Sequence, residues 1–437
     1  MKKTLLTICL VWMCFSLSAQ KIIDLSGKWS LSIDRQDNGE KEKWFSHTLN
    51  DFINLPGSMP EKLKGDEVTA KTQWTGSLYD SSYYYNPYME KYRKEGNIKF
   101  PFFLTPDKHY VGAAWYQKEV NIPADWKGER ILLFLERPHI ETTVWVNGQK
   151  TGIQNSLCVP HQYDITRYVR PGKCTITIRV DNRIKEINVG PDSHSITDQT
   201  QGNWNGIVGR ICLQTTPKTY FDDIQIYPEP EQKLARVKVV IKGTGTAKVK
   251  LSAESFNTDK KHIVPAIQQE IKLNKGVTET EMVLPMGNDM LLWDEFHPAL
   301  YKLKAEVTNG KKTEIKEIQF GMRRFEIKGK WFYVNGRKTQ LRGTVENCDF
   351  PLTGYAPMDV ESWERVFRIC RSYGLNHMRF HSFCPPEAAF MAADRVGFYL
   401  QPEGPSWPNH GPKLGLGQPN DKYLMDETNA VTKESGI

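Results

Sequence analysis

"LNHMRFHSFCPPEAAFMAADRVGFYLQPEG", residues 375–404, decides the fold. "LNHMRF" and "FYLQPE" are short apolar runs, and "PEAAFMAADRVG" between them has helical spacing with Pro386 near its first turn. Strand, loop, helix and strand with short connections make a parallel βα unit. Just upstream, "DVESWERVFRICRSYG" sets Trp363, Val366, Phe367, Ile369 and Cys370 at helical spacing, with Gly374 past the end as a cap. Downstream, residues 421–436 read as a third amphipathic helix. Residues 321–437 therefore hold three βα units. A closed (β/α)8 barrel uses eight units and about 250 residues, so the expectation is the N-terminal, incomplete part of a TIM barrel.

Polar side chains at the ends of such strands face a pocket, because active sites sit at that end of the fold. Glu346 and Asn347 end strand one, Arg379 and His381 end strand two, and Glu403 ends strand three. Trp407, shortly after, offers a flat stacking face, and His410 lies on the same loop. A fixed cation at Arg379 can hydrogen-bond hydroxyls or a carboxylate. His381 reads equally well as a hydroxyl donor or as a satisfied structural histidine.

Toward the N-terminus the period changes. Residues 218–320 carry "RVKVVIKG", "AKVKLSAESF", "TETEMVLP", "YKLKAEVTNG" and "EIKEIQFG", about seven short alternating strands in all, which predicts an immunoglobulin-like β-sandwich. Residues 20–217 alternate in the same way. Asn147-Gly148 marks a tight hairpin, Pro171-Gly172 a turn, and Asn205-Gly206 a repeat of the hairpin signal. Cys174, Ile176, Ile178 and Val180 alternate with polar neighbours on one strand. This predicts an all-β jelly-roll sandwich. Between Thr72 and Tyr110, "WTGSLYDSSYYYNPYMEKY" packs six tyrosines into an aperiodic loop, read either as a sugar-contacting loop or, preferably, as a loop packed on its own aromatics.

Lys2 and Lys3, an apolar run and small residues ending at Ala19 form a secretory signal peptide over 1–19, predicting a secreted or periplasmic protein with no membrane contact after cleavage. Basic residues number 58 against 51 acidic, for a net charge of +7, and they are scattered, which excludes a nucleic-acid stripe. The six cysteines after residue 19 have neither zinc-ligand spacing nor a disulfide framework, although one bridge among Cys158, Cys174 and Cys212 stays open. No metal and no cofactor is implied.

The module order resembles glycoside hydrolase family 2, whose members include β-galactosidases, β-glucuronidases and β-mannosidases. "GAAWYQKEVNIPADWKGERILLFLERPHIETTVWVNGQKTG" and "WNGIVGRICL" are similar to the family's sugar-binding sandwich. "LWDEFHPALYKLKAEV" resembles its middle domain, and "FGMRRFEIKGKWFYVNGRKTQLRGTVEN" and "AADRVGFYLQPEG" its first and third barrel segments. Two features depart from the pattern. Val345-Glu346-Asn347-Cys348-Asp349 stands where the family often has Asn-x-His-Glu, and His381 precedes Ser382 rather than following a serine.

The resemblance implies a retaining glycosidase acting on an oligo- or polysaccharide, with two carboxyl groups about 5–5.5 Å apart. In the family the acid/base glutamate follows an Asn at the end of strand four, and the nucleophile ends strand seven. No Asn-Glu pair occurs between Gln340 and Ile437. The expectation is thus no catalytic residue within these 437 residues and a chain inactive alone. Glu346 and Glu403 as a catalytic pair is the disfavoured reading. A non-catalytic carbohydrate- or partner-binding fragment is the alternative.

Overall fold

A computed structural model describes residues 20–75, 82–99, 106–185, 193–197, 200, 202–350, 352–406, 415, 417 and 419–435. The expected leader over 1–19, and Trp407 and His410, lie outside the described residues.

Alternation of apolar and polar residues builds the first sandwich from two antiparallel sheets. One runs Ile22–Asp24, Gly206–Thr216, Arg130–His139, His161–Asp164, with Gly57–Ser58 paired to the second of these. The other runs Gln149–Asn155, Glu141–Val146, Gly172–Asp181, Ala113–Ile122, Gly27–Asp34, Asp51–Leu55. Trp29, Leu31, Ile176 and Ile178 from one sheet meet Leu133, Leu135, Ile211 and Leu213 from the other in a shared core. Every second residue faces inward, as a pleated strand requires. Asn147 and Gly148 have φ of 49° and 76° and join Val146 to its partner Gln149, so that hairpin forms as its sequence dictates.

Asn205-Gly206 does not form a hairpin, which corrects the sequence reading. Asn205 is buried, donates to Gly112 O and Val180 O at 3.0 Å each, and accepts from the Tyr116 hydroxyl at 2.7 Å. Gly206 then opens a strand against Gly57–Ser58. The dipeptide looks like a turn because the reach of its amide side chain is invisible in sequence.

The second sandwich departs from about seven short strands. It has five, in a single sheet, and two of them, Leu234–Phe256 and Ile263–Pro285, are 23 residues long. "RVKVVIKG" and "AKVKLSAESF" are one strand. Its register shifts between Gly243 and Gly245 and again between Leu251 and Ala253, and it changes partners along its length. Bulges at glycine let a strand bend without ending. Val237, Val239, Val249, Leu251, Leu303 and Leu284 fill the core.

A three-stranded antiparallel sheet, Phe325–Lys328, Trp331–Val334 and Arg337–Thr339, leads into the last segment. That segment runs β1 (Gly343–Glu346), α1 (Val360–Ser372), β2 (His377–Phe380), α2 (Glu387–Val396), β3 (Tyr399–Gln401) and α3 (Pro419–Ser435). The three strands are parallel, with β2 in the centre. Asp359 caps α1 by accepting from Ser362 N at 2.8 Å, and Gly397 ends α2 at φ 76°. Trp363 and Phe367 bury the inner face of α1. Ile369, expected on that face, is half-exposed, because it sits about a third of a turn from Trp363 and nearly half a turn from Phe367.

In the tyrosine-rich loop, Tyr83 is buried and its hydroxyl donates to Tyr92 O at 2.9 Å, while Tyr85 and Tyr88 are exposed. The described cysteines, Cys158, Cys174 and Cys212 among them, are not bridged.

Candidate functional site

Parallel register brings the strand ends level. Val345 lies beside Arg379, Glu346 beside Phe380, and Arg379 beside Gln401. Glu403 stands two residues past the end of β3, close enough to fold back over β2. Arg379 Nε donates to Glu403 Oε1 at 2.5 Å, and the other carboxylate oxygen accepts from Ser382 N at 2.9 Å. His381 Nδ1 lies 3.4 Å from that second oxygen and 3.1 Å from Ser382 Oγ. Burial alone would raise the Glu403 pKa. The Arg379 and Ser382 hydrogen bonds, with the nearby positive charge, win and hold it below the usual carboxylate range.

Glu346 behaves in the opposite way. Burial raises its pKa above the usual value, although it accepts from Asp349 N at 3.1 Å. Of the six residues named from the sequence, the structure thus gathers Arg379, His381 and Glu403 into one bonded cluster and sets Glu346 on the neighbouring strand end. Asn347 is exposed on the loop that follows, and Trp407 lies outside the described residues.

Sequence reasoning missed the contribution of the first sandwich. His194 Nδ1 donates to His381 O at 2.9 Å, and the two imidazoles meet edge to face at 4.2 Å. Ser195 Oγ donates to Ser382 O at 3.1 Å. Burial lowers the His194 pKa. These contacts span 187 residues, and no local pattern announces them.

Chemically, the cluster is an oriented guanidinium–carboxylate pair beside an imidazole and a carboxyl biased toward its protonated form. Such groups exchange hydrogen bonds with hydroxyls. Among the described residues no group of three or more His, Cys, Asp or Glu side chains is placed to hold a metal ion. No helix among them is long and apolar enough to cross a membrane.

Two antiparallel β units feeding a parallel βα sheet, with a polar cluster at its strand ends, define a multidomain β-sandwich protein. Residues 22–217 match the sugar-binding domain of glycosyl hydrolases family 2, and residues 219–323 match a second domain of the same family. The chain belongs to glycosyl hydrolase family 2. It is 23% identical over 407 residues to a β-glucuronidase of Paenibacillus borealis, covering 89% of this chain and 59% of that one. A β-galactosidase of Thermoanaerobacter pseudethanolicus is 24% identical over 334 residues, covering 72% and 42%. Among solved structures, the apo β-glucuronidase of Ruminococcus gnavus superposes with a TM-score of 0.70 at 19% identity, covering 95% of this chain and 64% of that one. The chain therefore spans between 38% and 59% of the length of its curated relatives named so far and of a further β-glucuronidase relative.

Proposed function

We propose that the protein works in carbohydrate metabolism as a family 2 glycoside hydrolase, binding an oligo- or polysaccharide against the strand-end wall of Glu346, Arg379, His381 and Glu403. In this reading residues 20–217 are a sugar-binding jelly roll, 218–320 an immunoglobulin-like sandwich, and 321–437 the opening part of a (β/α)8 barrel. The leader over 1–19 exports the chain. Asn347, on the loop after β1, borders the same wall.

What carries the reading is the Arg379–Glu403 pair, locked at 2.5 Å and backed by Ser382 N. It is an oriented hydrogen-bonding surface on a chain whose relatives are named as glycosidases. Because Glu403 is engaged by Arg379, it serves the wall as an acceptor and not as an attacking group. The proton donor and nucleophile are assigned to neither Glu403 nor Glu346, so this wall binds without cleaving. Titration calorimetry with methyl β-D-galactoside and methyl β-D-glucuronide tests this. Arg379→Gln weakens binding about 10- to 100-fold, the worth of a charge-assisted hydrogen bond. Equal affinity in the variant removes the wall from the site.

One observation favours a second reading. The pKa of Glu346 is displaced upward and that of Glu403 downward, the pattern of an acid paired with a base. Strands flanking a common neighbour stand about 10 Å apart, nearer to an inverting than a retaining separation. Release of nitrophenol from nitrophenyl glycosides by these 437 residues, abolished in both Glu346→Gln and Glu403→Gln, would establish that pair. No release leaves the binding wall as the function.

A further inference from the structure

The turn after β2 holds a conformation that its residue type disfavours. Ser382 is fully buried and has φ of 57°, the left-handed region that side chains other than glycine adopt at a cost. Strain of this kind persists only where the surroundings over-determine it. Here the βα segment supplies part of the restraint. His381 N donates to Glu346 O at 2.8 Å, Ser382 N to Glu403 Oε2 at 2.9 Å, and Glu403 N to Phe383 O at 3.3 Å. The carbonyls of His381 and Ser382 take their partners from outside that segment.

The first sandwich provides both. His194 Nδ1 donates to His381 O at 2.9 Å, and Ser195 Oγ to Ser382 O at 3.1 Å. Two consecutive side chains thus hold two consecutive carbonyls. The donors are themselves fixed. Ile196 N and Thr197 N close a turn on Ser193 O at 3.0 and 2.8 Å, and Thr200 Oγ1 donates to His194 O at 2.8 Å. Ile196 is fully buried and belongs to the same apolar cluster as Cys384, two residues beyond Ser382. An anchored loop of the sandwich therefore clamps a strained turn of the βα segment, and the N–H of that turn ends on Glu403.

A binding carboxylate is only as well oriented as the groups that support it. Arg379 Nε engages one oxygen of Glu403, and Ser382 N engages the other. If the turn relaxes, the second oxygen loses its partner and the carboxylate can swing about the first.

We infer that His194 and Ser195 are positioning residues: by holding Ser382 in its left-handed turn they aim its N–H at Glu403 and orient the carboxylate. The consequence for sugars rests on the glycan-binding reading above. The positioning itself does not.

Ser195→Ala tests it in the 437-residue protein, with the Glu403 carboxyl followed by NMR of glutamate labelled at the δ carbon and assigned by its loss in Glu403→Gln. Arg379, His381 and His194 are the charged or titratable groups acting around that carboxyl, and all three remain in the variant. Its titration midpoint therefore reports the Ser382 N–H. With that bond loosened, less holds the charged form and the midpoint rises. Affinity for methyl β-D-galactoside and methyl β-D-glucuronide falls about 2- to 10-fold, the worth of one hydrogen bond. Ser382→Gly supplies the rescue, because glycine enters the left-handed region without the side-chain cost. In that background Ser195→Ala moves midpoint and affinity less than it does alone. A contact that merely adds stability would give equal losses in both backgrounds.

An unmoved midpoint in Ser195→Ala overturns the inference, and so does a loss of affinity that Ser382→Gly leaves undiminished. Where neither sugar binds the unaltered protein, the glycan-binding wall fails, and the midpoint alone decides the positioning.

Discussion

Gly206 shows how much a single position can fix. A Cβ there would lie 2.4 Å from Gly57 O and 2.9 Å from Ser58 Cα, both backbone atoms, and its φ is 154°. Gly206→Ala should cost about 2–3 kcal/mol, the range of overpacking and backbone strain, seen as a lower urea midpoint at unchanged slope. Asp181 is a second such residue. Fully buried, it is bonded by Arg183 and paired with Arg179 and Lys185. Burial works to raise its pKa, but those hydrogen bonds and charges hold it far below the usual range. A depressed folded pKa means that its contribution is whole above about pH 3.9 and is lost as the pH falls toward the folded value. Asp181→Asn should cost about 3–5 kcal/mol at pH 7, because the buried Arg179 loses a partner. It should also flatten the loss of unfolding free energy between pH 5 and 3; an acid slope equal to that of the wild type would refute the assignment. Neither residue was legible. Gly206 sits in a dipeptide that mimics a turn, and Asp181 gives no sign that Arg183, two residues on, curls back to it.

At the scale of elements, legibility followed local periodicity. The parallel units were readable because α1 and α2 carry their own spacing and glycine stops, with β2 between them and β3 directly after α2. The long strand Leu234–Phe256 was split because Gly243 and Gly245 punctuate like a turn, whereas a bulge continues the ladder. The polar face of α3 concealed an anchor. Glu427 is buried and accepts from Leu157 N at 3.2 Å and Cys158 N at 3.0 Å, fastening the helix to the first sandwich. Burial outweighs these hydrogen bonds and raises its pKa. For a carboxyl so displaced the folded state holds the proton longer, so stability is full below about pH 4.3 and falls as the pH rises toward the folded value. Glu427→Gln keeps an acceptor and removes the titration. It should unfold at higher urea than the wild type at pH 8 and show no such advantage at pH 4. An advantage at both pH values would mean that packing, not charge, sets the difference.

Across the whole molecule, hydrogen bonds at junctions tie the segments together more than any shared sheet does. Trp293 of the second sandwich donates its Nε1–H to Asp394 O in α2 at 2.7 Å, and its ring meets Tyr399 of β3 edge to face at 5.8 Å. Arg371 of α1 donates to Glu295 O, Val396 O and Gly397 O between 2.5 and 2.9 Å, joining the same two segments. The first sandwich holds the opposite side through Ser195 and His194. Each junction is local, so weakening one should open only the elements it fastens. Trp293→Phe preserves the ring and deletes one donor, leaving Asp394 O unpaired in a part-buried position, at a cost of about 1–2 kcal/mol. Hydrogen exchange should then quicken in α2 and β3 by about 5- to 30-fold, the same free energy expressed as a population, while Gly172–Asp181 keeps its wild-type protection. Ser195→Ala should give the complementary result, quickening exchange at residues 381–384 and sparing the turn at Gly397. Equal acceleration throughout the chain in either variant would show one cooperative unit instead, and the Arg379–Glu403 cluster would then share its rigidity with both sandwiches.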